Sequence, residues 1–233
     1  MRDARRSIRA LKVALLGAAL ALLAGCVPPP PAGTTEPQPA PPQAVPPAAK
    51  PSPAQIADAF DQLNTAFEKA YARILTERGT RNFRVRPPLA YDALQAALTR
   101  LGMIVESRDP FTGTLTVAAP APRPLTLTEW REVVQADAPM MGAILCPRLG
   151  PYCKALKFEP DDYVIVINAT VLPTRGDGSE VALTTRMREI VPRPGTPRRD
   201  YPPPTGVRMA LDKIWATFEQ MLAERAPASG RSR

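Results

Sequence analysis

Two cysteines in the middle of the chain carry its clearest chemical potential. Cys146 and Cys153 are separated by six residues, among them Pro147, Gly150 and Pro151, which favour a turn that brings the two sulfurs together. Such a pair serves as a staple, as a redox couple or as part of a metal site. Redox couples are typically C-x-x-C, a different spacing, and no third thiol or histidine is at hand to complete a metal site. The chain has no histidine at all, so Ser-His-Asp and Cys-His nucleophilic machinery is excluded. Glu159, Asp161 and Asp162 cluster before an apolar run but lack the looped ligand spacing of an EF-hand and read as a solvated loop. Asp109 and Asp177 fall in turn sequences, which explain them locally, and no carboxylate pair argues for glycoside hydrolysis. Arg175-Gly176-Asp177 matches an adhesion tripeptide, but the hairpin turn it opens accounts for it. No glycine-rich phosphate loop or dinucleotide fingerprint occurs. One basic stretch remains: Arg193, Arg198, Arg199 and Tyr201 lie in the proline-rich segment 191–204. Arginine and tyrosine are effective interface residues, so these four are the candidate contact for a partner protein or an anionic glycan, with a solvated loop as the other reading.

The elements that must position these residues begin after a leader. Arg5, Arg6, Arg9 and Lys12 form a basic start, and Val13–Leu23 is an apolar run of 11 residues. That is shorter than the ~20 residues that span a bilayer, and the order is that of a secretory signal over residues 1–25. Leu23-Ala24-Gly25-Cys26 closes the segment. This tetrapeptide resembles the lipobox of bacterial outer-membrane lipoproteins. The resemblance implies that Cys26 becomes the first mature residue and carries lipid, a diacylglycerol with an added N-acyl chain such as palmitate. One acyl chain holds a protein only marginally, whereas several together make release slow. Val27 stands where the inner-membrane retention signal of such lipoproteins is usually Asp, so the resemblance implies the periplasmic side of the outer membrane of a Gram-negative bacterium. With Cys26 lipidated, two cysteines remain in an oxidising compartment, and Cys146–Cys153 is expected to be a structural disulfide. Loss of the leader, with five cations and one anion, takes the formal net charge from +8 to +4. That is too small an excess to argue for nucleic acid.

Residues 26–54 are the anchor and a linker. Val27–Pro53 holds 12 prolines in 27 residues, with Glu36 and Lys50 the only charges and no aromatic residue. It is expected to be disordered and to favour extended polyproline II, with a reach of about 80 Å if stiff. In 55–78, Ile56, Phe60, Leu63, Phe67, Tyr71 and Ile74 line one helix face. This helix is expected to pack on the following domain, with self-association as the alternative.

The globular domain is expected over 80–225, with a disordered tail at 226–233. Residues 82–86 read as a strand, and Tyr91, Leu94, Leu98 and Leu101 as a helix ending at Gly102 in a left-handed cap. Strands follow at 103–106 and 114–117 around the turn Asp109–Gly113. Thr126-Leu127-Thr128-Glu129 has capping-box spacing and opens a short helix with Trp130, Val133 and Val134; a loop holding both cysteines follows. Tyr163–Leu172 and Glu180–Ile190 form a hairpin around Arg175–Gly178, and Val207, Leu211, Ile214, Trp215, Phe218 and Leu222 mark a last amphipathic helix. Hairpins with separated helices predict an α+β fold: a single antiparallel sheet of about five strands with helices packed on one face.

The run from Tyr91 to Val117 — helix, Leu101-Gly102, strand, then Asp109-Pro110-Phe111-Thr112-Gly113-Thr114-Leu115-Thr116-Val117 — is similar to small periplasmic lipoprotein domains, in particular the helix-grip domain of lipoprotein C of the β-barrel assembly machinery. It covers the lipobox, the linker and about 30 residues of the domain, and carries over no functional residue. The expectation is a lipid-anchored periplasmic domain that binds or scaffolds other envelope components without catalysis, cofactor or metal. The membrane is engaged through Cys26, and the partner is an envelope protein or glycan. The alternative is a binding module for a small ligand, lipid or glycan; a histidine-free hydrolase is a remote third.

Overall fold

A computed structural model describes residues 50–156, 158–161, 163–190 and 199–225. The expected leader, Cys26, nearly all of the linker, Asp162, Arg193, Arg198 and the tail lie outside the described residues. The elements run α1 (Pro53–Arg78), β1 (Thr80–Phe83), α2 (Pro87–Arg100), β2 (Ile104–Asp109), β3 (Thr114–Pro120), α3 (Leu127–Leu149), a 3₁₀ turn (Gly150–Ala155), β4 (Tyr163–Pro173), β5 (Ser179–Glu189) and α4 (Pro204–Arg225). The strands form one five-stranded sheet in the order β1-β5-β4-β3-β2, antiparallel throughout. The fold is α+β, with the helices on one face.

Strict alternation builds that face. Ile165, Ile167, Ala169 and Val171 of β4 are buried beside Val181, Leu183 and Met187 of β5, while Asn168, Leu172, Arg186 and Arg188 are exposed. Trp215 and Phe218 of α4 are fully buried and meet Phe83 of β1 at ring-centroid distances of 6.0 and 4.8 Å. The Trp215 indole donates to the Arg78 carbonyl at 2.8 Å, which ties α4 to the end of α1. Residues of one face share the period of 2 with their cross-strand partners, so a one-residue slip would turn this whole set to solvent.

β1 pairs with only the first four residues of β5, which leaves most of the β5 edge to be covered otherwise. Three separate groups do so. The Leu183 amide donates to the Gly79 carbonyl (2.7 Å), that of Thr185 to the Tyr71 hydroxyl (3.1 Å) and that of Met187 to the Asp200 carbonyl (3.4 Å). The opposite edge, β2, carries Glu106, Arg108 and a register shift between Val105 and Ser107, which spoil it as a template for further pairing.

The apolar face of α1 is used within the chain. Its C-terminal part joins the sheet core through Ile74, whereas Phe60, Leu63 and Phe67 pack with Trp130, Met141, Leu145 and Leu149 of α3 and with Phe158 in a second apolar cluster. Here the structure corrects the expectation of a short third helix followed by a loop. α3 has 23 residues, runs through Pro139 and Pro147 and contains Cys146, while Cys153 lies in the 3₁₀ turn. Pro139 lacks the N–H that would bond Gln135, but next to it buried Asp137 accepts from the amide (3.0 Å) and hydroxyl (2.6 Å) of Thr205 at the start of α4. Packing on α1 and this tie to α4 hold the helix where local propensity would end it. β1 is also displaced from the expected 82–86, because Pro87 and Pro88 open α2 directly and the Ser179 hydroxyl takes the Val85 carbonyl.

Candidate functional site

The β2–β3 turn begins from an aspartate and a glycine. The Asp109 carboxylate accepts from the amides of Phe111 (2.9 Å) and Thr112 (3.3 Å). The Thr112 hydroxyl and these two amides hold its pKa below the usual carboxylate value. Gly113 has φ +70°, and a Cβ there would collide with the Val171 carbonyl; its own carbonyl accepts from the Val171 amide at 2.8 Å. Tyr91 of α2, itself buried, donates its hydroxyl to the Thr114 carbonyl at 3.0 Å. Burial raises its pKa, opposed by nearby Arg108. The turn is therefore held from three sides.

At its tip the Phe111 side chain is entirely solvent-exposed, with a relative exposure of 101%. Beside it Leu172 at the end of β4 is 45% exposed. Phe111, Leu172, Pro88, Pro110 and Pro173 border one shallow hollow of about 430 Å³ over Tyr91. The β4–β5 turn and the end of β1 lie at the same end of the sheet, since Phe83 is opposite Ser179. This end therefore also carries exposed Arg84, Arg86, Arg108 and Arg175, interspersed with Asp92, Asp177 and half-buried Glu180. An apolar centre held by a stiff turn, with a rim of mixed charge, is the composition of a protein-docking surface.

Of the loop residues singled out from the sequence, Arg193 and Arg198 lie outside the described residues, and Arg199 and Tyr201 fall elsewhere. Arg199 is half-buried and stacks its guanidinium 4.2 Å from the Phe158 ring centre, 5.2 Å from that of Phe60 and 5.9 Å from that of Tyr163. The Tyr201 ring lies 5.5 Å from Tyr71, and burial, followed by Glu68, raises its pKa. Both are engaged inside the chain, Arg199 at the second cluster and Tyr201 against Tyr71, whose hydroxyl meets the β5 edge. Cys146 and Cys153 stand at disulfide-bonding distance, with Cα atoms 5.0 Å apart. They border a second hollow, between α1 and α3 at the opposite end of the sheet.

Sequence reasoning identified the Asp109–Gly113 turn but gave Phe111 no role. The available signal was an aromatic residue in the middle of a tight turn, where neither strand nor helix periodicity offers it a place in the core. Among the described residues no helix is long and apolar enough to cross a membrane, and no three acidic or thiol groups converge as a metal site would require. Comparison with protein-family models, with curated proteins and with solved structures finds no match to this chain.

Proposed function

We propose that this chain is a lipid-anchored, non-catalytic module of the bacterial envelope that docks another envelope protein through the Phe111 end of its sheet. The leader, the lipobox-like tetrapeptide ending at Cys26 and the proline-rich stretch after it support anchorage at the periplasmic side of the outer membrane with a long reach. The observation that carries the docking role is the fully exposed Phe111 on a turn fixed by Asp109, Gly113 and Tyr91. An aromatic anchor presented rigidly loses little conformational freedom on binding. The rim of both signs matches a protein surface better than an anionic membrane, which would select basic residues alone.

The test is a photo-crosslinking amino acid placed in living cells at Phe111, at Leu172 and, as control, at Leu127, an exposed apolar position on α3. The expected result is one discrete adduct with an envelope protein from positions 111 and 172, absent from 127 and lost when Arg108 and Arg175 are reversed to Glu. Equal adducts from all three positions, or none from 111, would overturn the reading.

A further inference from the structure

The hollow between α1, α3 and the 3₁₀ turn has a different chemistry. It measures about 360 Å³ and is walled by Phe60, Met141, Leu145 and Phe158 together with the Cys146–Cys153 pair. Its volume falls at the lower end of small-ligand pockets, roughly 300–1,000 Å³. Among the described residues Lys154 is the one charged group on its lining; it is exposed and makes no ion pair there.

The depth of the hollow comes from a missing side chain. Gly142 sits inside α3, where glycine is about 1 kcal/mol worse than alanine. A Cβ added there would meet nothing nearer than the Cys146 sulfur at 4.0 Å. Neither a left-handed backbone nor a tight helix contact requires glycine at 142, and any longer side chain would fill the hollow.

We infer that this hollow binds a single-chain fatty acid, its alkyl chain laid along Phe60, Met141, Gly142 and Phe158 and its carboxylate beside Lys154. A hollow of about 360 Å³ suits one alkyl chain rather than a protein partner, whose interface would bury about 800 Å² on each side. The Lys154 ammonium at the rim, a compact point charge, selects an anionic over a cationic head. Methionine in the wall adapts to a flexible chain. The site shares no residue with the Phe111 surface, so either can fail without the other.

The experiment is calorimetric titration of the exported chain carrying Cys26→Ser, which keeps the whole domain but removes the proposed lipid attachment, with laurate and with dodecyltrimethylammonium below their micellar ranges. Laurate should bind at one per chain, and the cation of equal tail length more weakly. Lys154→Gln should weaken laurate by about fivefold, the upper end expected for one exposed charge pair, and leave the cation no weaker. Gly142→Leu should abolish binding, whereas Gly142→Ala should retain it and melt no lower than the parent. Absence of saturable laurate binding would overturn the inference. So would equal affinity for both amphiphiles with no effect of Lys154→Gln, or full binding by a folded Gly142→Leu chain.

Discussion

Asp137 is the most informative single residue to perturb, because one carboxylate holds two helices in register. It lies in α3, is 6% exposed, and accepts from the Thr205 amide at 3.0 Å and the Thr205 hydroxyl at 2.6 Å. The Thr205 amide is one of the first-turn donors of α4, which have no partner within their own helix. Asp137 thus acts as an N-terminal cap supplied from a different helix, with its charge beside the positive end of the dipole. A hydrogen bond to a charged group contributes about 1.5–3 kcal/mol, and the loss of an ordinary cap costs about 1 kcal/mol. Asp137→Ala leaves both Thr205 donors unsatisfied at a part-buried position and should cost about 2–4 kcal/mol. Asp137→Asn keeps an acceptor and should cost about half as much. The assay is urea unfolding of both variants, of Thr205→Ala and of the double mutant. The Asp137→Ala and Thr205→Ala losses should overlap by at least ~1 kcal/mol, because each removes the same pair. Additive losses, or an Asp137→Ala loss below about 0.5 kcal/mol, would refute the idea that this contact ties α3 to α4.

Further expectations follow from other contacts. Reduction, or Cys146→Ser with Cys153→Ser, should lower stability by about 2–3 kcal/mol in the loop-closure model, read as a lower urea midpoint with dithiothreitol than without; identical midpoints would mean that the bond adds nothing. Phe111→Ala touches no core contact and should leave the melting temperature unchanged while removing the crosslink at Leu172. A large drop in melting temperature would instead make Phe111 a structural residue. Acid should weaken the fold through Glu129 as well as Asp109. Burial pushes the Glu129 carboxyl up, but Lys213, the Thr126 amide and the Thr126 hydroxyl together bring it below its ordinary value. A folded pKa below the unfolded one gives a contribution present above the unfolded value of about 4.3 for a glutamate and lost as pH falls through the folded one. Glu129→Gln should therefore cost stability at pH 7 and flatten the decline of the urea midpoint between pH 5 and 3; an unchanged slope would refute that role.

How far the sequence is readable depends on whether local chemistry and tertiary packing agree. They agree in α1, where six apolar residues on one face mark a helix that the structure bounds at Pro53–Arg78, its start set by a Ser52–Gln55 capping box that has the S-x-x-Q spacing in the sequence. They agree at Gly102, whose φ of +78° ends α2 as expected, and at the Gly176-Asp177 turn, where both residues have positive φ. They disagree in α3. Pro139 and Pro147 are helix breakers by any local rule, and only the partners of the helix, Phe60 and Leu63 on one side and Thr205 on another, keep it continuous. The pairing of β1 with β5 is likewise invisible locally, since it joins residues about a hundred positions apart. For the loop residues Arg199 and Tyr201, residue type alone does not decide between an interface and the interior. Arginine and tyrosine suit an interface, but they suit an aromatic cluster equally well, and Arg199 and Tyr201 are in the latter.

The two ends of the sheet give the proposed anchor a direction. Phe60, two turns into α1, is beside Tyr163 at the start of β4, because Arg199 stacks on both. Phe111 borders Leu172 and Pro173 at the other end of the same strand. β4 covers about 30 Å between them at ~3.3 Å per residue. A tether entering α1 at Ser52 thus joins the domain at one end, and the exposed aromatic is presented at the other, away from the point of attachment. The length of the tether then sets which partners are within reach. Twenty residues at the polyproline II rise span about 60 Å, so removing residues 28–47 takes up to that much from the reach expected of the proline-rich sequence. If the docked protein stands well above the membrane, the adduct from position 111 should disappear in that deletion while the domain melts unchanged. It should return when 20 residues of equally proline-rich sequence are restored, and return less when a Gly/Ser stretch of the same length is used, because such a chain spans only about 25 Å on average. An adduct that survives the deletion would mean that reach plays no part in docking, and the proline-rich composition would need another explanation.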